Sequence, residues 1–135
     1  MNLAQTEVGY ELPSFTTEPI SRTTLALYCG ASGDHNPIHV DIDFARKAGM
    51  PDVFAHGMLS MAYLARLLTN WVAQEQLRHY TVRFVAITQL QEQITCSGKV
   101  LEKDEAAGTV RLEITTRNQA GEIKLSGEAI VALSA

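Results

Sequence analysis

Residues 57–71 read GMLSMAYLARLLTNW. Met58, Leu59, Met61, Ala62, Tyr63, Leu64, Ala65, Leu67 and Leu68 surround a helix drawn through this stretch, and only Ser60 and Arg66 break the run. A helix that is apolar nearly all round must be buried nearly all round. Each Leu-sized side chain removed from water contributes about 1.5–3 kcal/mol, so this helix organises the core. It is too short to span a bilayer, and it carries Arg66.

The sequence after it is β. YTVRFVAI (80–87), ITCSGKVL (94–101), TVRLEITTR (109–117) and EIKLSGEAIVAL (122–133) are strand-like runs between short polar segments. NQAG at 118–121 is a hairpin turn, and such short connections pair the last strands as an antiparallel meander. Before the helix, ELPSFTTEP (11–19) reads as an edge strand with Pro punctuation. Ser21 is the N-cap of a helix from Arg22 to about Ala31, with Ile20 as a staple and Leu25, Tyr28 and Cys29 on one face. Asp41 caps a second, short helix that Gly49 closes. The fold class is therefore α+β, an antiparallel β-sheet wrapped around a long central α-helix, in one domain over residues 1–135.

Composition narrows the function classes. Of 135 residues, 46% are hydrophobic and 19% charged, which is globular, and the net charge is −4. No run of Lys or Arg offers a footprint for nucleic acid or for an anionic membrane. Cys29 and Cys96 stand in no metal or redox spacing, as expected of reduced thiols in a cytoplasmic protein. The N-terminus lacks a basic start followed by an apolar run, so no signal peptide is expected.

The chemistry is concentrated in GDHNPIH, residues 33–39. Pro37 fixes its own φ and pushes Asn36 out of the helical region, while Gly33 permits a left-handed backbone. Such an irregular, rigid loop can aim Asp34 and His39 at one spot. Three readings fit these residues. One is a solvated turn of good turn formers. One is a metal site on Asp34, His35 and His39, although Pro37 denies the two histidines a shared helical face and His56 is the only further ligand in view. The third is acid–base catalysis, with Asp34 and His39 holding one water. That chemistry also needs a donor for developing negative charge. Gly57 supplies one, because the first N–H groups of a helix are unpaired and its N-terminal dipole is positive.

At this point the residues carry a family. Tyr28 to His39, YCGASGDHNPIH, resembles the signature of the MaoC-like (R)-specific enoyl-CoA hydratases and (3R)-hydroxyacyl-thioester dehydratases. FAHGMLSMAYL (54–64) is similar to the start of that family's central helix, and TVRFVAI (81–87) to its next strand. The likeness runs from about Tyr10 to the C-terminus. It implies a hotdog fold and a hydro-lyase that reversibly hydrates trans-2-enoyl thioesters to (R)-3-hydroxyacyl thioesters. It implies Asp34 and His39 as the water-activating pair and the Gly57 N–H as the oxyanion donor, with Asn36 orienting the loop and no metal or other cofactor. Coenzyme A or an acyl carrier protein is then the substrate carrier, and the chain forms a homodimer with active sites near the interface. One departure stands out: family members often carry a Pro and then a Gly-Asp turn after the VRF strand, whereas this chain reads VAITQLQEQITC (85–96). That loop is expected to differ in shape.

Other residues are less informative. Ser60, one turn into the helix, either meets substrate or, the plainer expectation, bonds its own helix backbone. His56 contacts substrate or partner, or is structural. His35 is expected in solvent or at an interface, and Arg83 either faces solvent or reaches a coenzyme phosphate. Two other functions use a similar scaffold: a hotdog acyl-thioesterase, and a non-catalytic acyl-binding subunit of a heteromeric dehydratase. The second is expected to lose Asp34 or His39, and both are present.

Overall fold

The computed structural model describes residues 3–134. The decisive helix forms as α3 (Gly57–Thr69), after α1 (Arg22–Ser32) and α2 (Ile42–Lys47). It packs on a five-stranded sheet of order β1-β3-β4-β5-β2. The strands are β1 (Phe15–Thr16), β2 (Leu77–Phe84), β3 (Thr95–Asp104), β4 (Thr109–Arg117) and β5 (Ile123–Ala132), all paired antiparallel. Leu64, Leu67 and Leu68 of α3 join Val100, Leu112, Ile114, Leu125 and Val131 of the sheet in one core. A second cluster, with Ile20, Leu25, Ala45, Val53 and Leu59, lies under α1 and α2, and Tyr63 packs against both.

Local signals are obeyed closely. The Ser21 hydroxyl accepts the Thr24 N–H at 3.0 Å, and Ile20 and Leu25 bury together beneath that first turn. Gly33 ends α1 at φ 77°, in the left-handed region. Asp41 Oδ1 accepts the N–H groups of Asp43 and Phe44, and Gly49 follows α2 at φ 88°. The NQAG turn closes the β4–β5 hairpin with Gly121 at φ 81°.

Three expectations need correction. First, α3 is not buried on every side: Met58 is 54% exposed, and Ala62 and Arg66 are exposed as well. Spaced four apart, they form one flank that neither the sheet nor α1 and α2 reach. Apolar composition counts the side chains that seek cover, not the neighbours one chain supplies. Second, the edge strand expected over 11–19 is regular only at Phe15–Thr16; the last strands, β3, β4 and β5, do form the expected meander, while β2 pairs with β5 and residues 85–94 cross to the other side of the sheet. Third, the loop at 33–39 is not wholly irregular, since Pro37–His39 make one 3-10 turn.

The crossing segment, which lacks the Gly-Asp pair that the resemblance leads one to expect, makes a turn of its own. Gln91 takes φ 67°, the one positive φ among described non-glycine residues, where a glycine would sit without strain. The Glu92 carboxylate accepts the Gln89 N–H at 2.6 Å, as a turn-capping aspartate does. Among the described residues, no helix is long and apolar enough to cross a membrane.

Candidate active site

The 3-10 turn is what aims His39. Asn36 caps it, its side-chain oxygen accepting the Ile38 N–H at 3.1 Å, while the Asn36 N–H donates to Asp34 Oδ1 at 3.3 Å. Asn36 therefore shapes the loop through both its side chain and its backbone. His39 is 9% exposed, and its Nδ1 lies 2.8 Å from the Phe54 carbonyl oxygen. A carbonyl can only accept, so Nδ1 carries the proton and Nε2 of the neutral ring keeps a free lone pair. The Phe54 ring meets the His39 ring edge-on, with centroids 5.2 Å apart.

His56, the residue before α3, is the part sequence reasoning underrated. It is 1% exposed and stacks on His39, with centroids 3.8 Å apart and planes 24° apart. Its Nε2–H donates to the Asp34 backbone carbonyl at 3.2 Å, and the Cys29 sulfur lies 3.4 Å from the same nitrogen. Tyr28 closes the stack edge-on at 4.7 Å. Among the described residues Nδ1 of His56 has no hydrogen-bond partner. Burial holds the His56 pKa below its ordinary 6.5, the nearby His39 pushes the same way, and the Asp34 carbonyl and charge oppose it without prevailing. His56 thus packs as a neutral ring that fixes both the loop and its neighbour. The one signal for this in the sequence was its place directly before Gly57.

A carboxylate oxygen of Asp34 and nitrogens of His39 and His56 lie within 4.8 Å of one another. One water making two hydrogen bonds of about 2.8 Å bridges such a gap. Zinc also accepts this donor set. Each imidazole gives one nitrogen to a backbone carbonyl, which fixes its ring and leaves the other nitrogen a lone pair, an arrangement shared by metal-ligating and acid–base histidines. His35, the other histidine of the loop, is exposed and stands outside the cluster.

Gly57 opens α3 beside a cleft of about 250 Å³, whose walls include Phe54, Phe84, Ile87 and Thr88. A Cβ on Gly57 would stand 2.8 Å from Cε1 of Phe84, so the close approach of that ring needs glycine. Ser60 is buried in the cleft wall, and its hydroxyl reaches Thr88 Oγ1 at 3.5 Å rather than the helix backbone, against the plainer expectation. Arg83 is exposed and lines a groove that shares no residue with the Asp34–His39 loop. Lys124 and Glu92, both buried beside the cleft, were not singled out from the sequence at all.

A sheet wrapped on α3, with the Asp-His loop tied through His56 to the residue before that helix, defines a hotdog domain. Residues 4–121 match the MaoC like domain, and the chain belongs to that family. It is 29% identical over 120 residues to an (R)-specific enoyl-CoA hydratase of Rhodospirillum rubrum, covering 86% of this chain and 81% of that protein. It is 33% identical over 125 residues to fatty acid synthase subunit beta of Saccharomyces cerevisiae, covering 87% of this chain but only 6% of the yeast subunit. Its structure superposes on R-hydratase PhaJ1 from Pseudomonas aeruginosa with a TM-score of 0.83 and 31% identity, over 98% of this chain and 85% of that one.

Proposed function

We propose that the chain is a hydro-lyase that reversibly hydrates trans-2-enoyl thioesters to (R)-3-hydroxyacyl thioesters. The observation that carries this reading is the 2.8 Å hydrogen bond from His39 Nδ1 to the Phe54 carbonyl. It leaves Nε2 as a base beside the Asp34 carboxylate.

In the hydration direction, Asp34 and His39 hold one water. His39 Nε2 takes a proton as the water oxygen bonds to the β-carbon. The π electrons move to the thioester oxygen, and the Gly57 N–H stabilises that charge. The imidazolium then returns the proton to the α-carbon on the same face, so the net addition of water is syn. Elimination reverses each step. Only the thioester and water are required, with coenzyme A or an acyl carrier protein as substrate carrier. A homodimer fits the same reading, because β2 is a sheet edge and Met58, Phe84, Val85 and Ile87 are exposed near it.

The test is incubation with crotonyl-CoA, following loss of enoyl absorbance together with free thiol. The reading expects hydration without thiol release. Thiol release without hydration identifies a thioesterase, and saturable binding without turnover identifies an acyl-binding subunit.

A further inference from the structure

Two histidines tie the loop and the start of α3 together crosswise. His39, in the loop, gives its Nδ1–H to the Phe54 carbonyl at 2.8 Å. His56, just before the helix, gives its Nε2–H back to the Asp34 carbonyl at 3.2 Å. The two rings stack between these bonds, with centroids 3.8 Å apart. From α1, the Tyr28 ring meets His56 edge-on at 4.7 Å, and the Cys29 sulfur lies 3.4 Å from Nε2. His56 is thus held from three directions, and it is 1% exposed.

The same residue leads directly into Gly57. Its carbonyl accepts the Leu59 N–H at 3.1 Å. The peptide joining His56 to Gly57 is planar, so a carbonyl held in place also fixes the direction of the Gly57 N–H. One residue earlier, the Ala55 N–H donates to the Thr88 carbonyl at 2.9 Å. Phe54, Ala55 and His56 are therefore each anchored before the oxyanion donor is reached. The arrangement depends on one tautomer of His56. Its Nδ1 has no partner among the described residues, and a proton moved there would set the Nε2 lone pair against the Asp34 carbonyl.

Resting on the hydratase reading above, we propose that His56 is a positioning residue for the reaction, one that locks the Asp34–His39 pair and the Gly57 N–H into a single rigid unit. It acts through those groups, on the water at one end and on the thioester carbonyl at the other. A misplacement of about 1 Å between reacting groups can cost about 10²-fold in rate, so the tie is felt in kcat and not in substrate affinity.

The experiment uses His56→Phe, which keeps a ring in the stack and deletes the Nε2–H. With crotonyl-CoA, kcat is expected to fall at least tenfold while KM stays within threefold. His56→Gln, which keeps an amide donor and loses the ring, takes its place with the same expectation if the Phe variant fails to fold. Combined with Asp34→Asn or with Gly57→Ala, the His56 change is expected to cost less than it does alone, because each partner change already disables a group that His56 places. A folded variant with wild-type kcat, a loss confined to KM, or losses that multiply with either partner change overturns the proposal. The tautomer is read separately, from the ¹⁵N NMR shifts of the wild-type imidazoles: a proton on Nε2 and none on Nδ1 of His56 upholds the tie, and a proton on Nδ1 overturns it. Absence of hydration by the wild type overturns the hydratase reading instead, and the tautomer still decides the tie.

Discussion

Gly57→Ala separates catalysis from folding. The added Cβ would stand 2.8 Å from Cε1 and 3.0 Å from Cδ1 of Phe84. That ring is 55% exposed, so it can swing outward at little cost. Alanine also favours a helix over glycine by up to about 1 kcal/mol, so stability should stay within about 1 kcal/mol of wild type. Activity should not. The methyl group occupies the approach of a thioester carbonyl to the Gly57 N–H. Losing one oxyanion donor costs about 10²–10³ in kcat. Urea unfolding and turnover of crotonyl-CoA on the same preparation read both quantities. Adding Phe84→Ala removes the ring clash, and the defect should persist because the methyl group still blocks the carbonyl. A folded Gly57→Ala protein with kcat within threefold of wild type refutes the oxyanion role of this N–H.

Other outcomes follow from the same geometry. Because burial lowers the His56 pKa, the unfolded chain binds the proton more readily. Stability should therefore fall as pH drops below about 6.5, until the folded ring titrates, and His56→Gln should flatten that slope in thermal melts between pH 7 and 5. Burial pushes Glu92 up, but the Gln89 N–H, the Asn118 amide and Lys124 outweigh it and hold Glu92 below its ordinary 4.5. Its contribution should be lost only at lower pH, as the folded carboxylate protonates, so the two pH windows separate. Gln91→Gly removes left-handed strain of about 1–2 kcal/mol against a chain-entropy cost of about 0.5–1 kcal/mol. It should stabilise slightly, whereas Gln91→Val should destabilise by more than about 1 kcal/mol, as read by urea midpoints; the reverse order contradicts the strained turn.

Much of this protein could be read from its sequence because its signals are local. Ser21, Asp41, Gly33 and Gly49 each act on hydrogen bonds within a few residues, and all do what their chemistry demands. The strands from Thr95 onward show the same directness, since alternation and a short turn decide their pairing. Asp34, His39 and Gly57 were legible as candidates through residue type and spacing. What stayed hidden depends on distant partners. Strict alternation places Lys124 outward beside an inward Leu125, and only the bulge against β4 turns it in. Glu92 reads as a surface charge until Lys124 and Asn118 reach it across the hairpin. His56 offered no pattern for its stack on His39, because the two meet through the fold and not through spacing. The open flank of α3 shows the same limit, since burial is a property of neighbours and not of the helix alone.

The central claim is that Asp34 and His39 act as a unit on one water. Its most direct test is the kcat for hydration of crotonyl-CoA by wild type, Asp34→Asn, His39→Ala and the double variant, each first shown to be folded. The account predicts that either single change removes activity by at least about 10²-fold and that the double variant is scarcely worse, as for groups that share one task. Hydration that survives both single changes, or losses that multiply in the double variant, would contradict it.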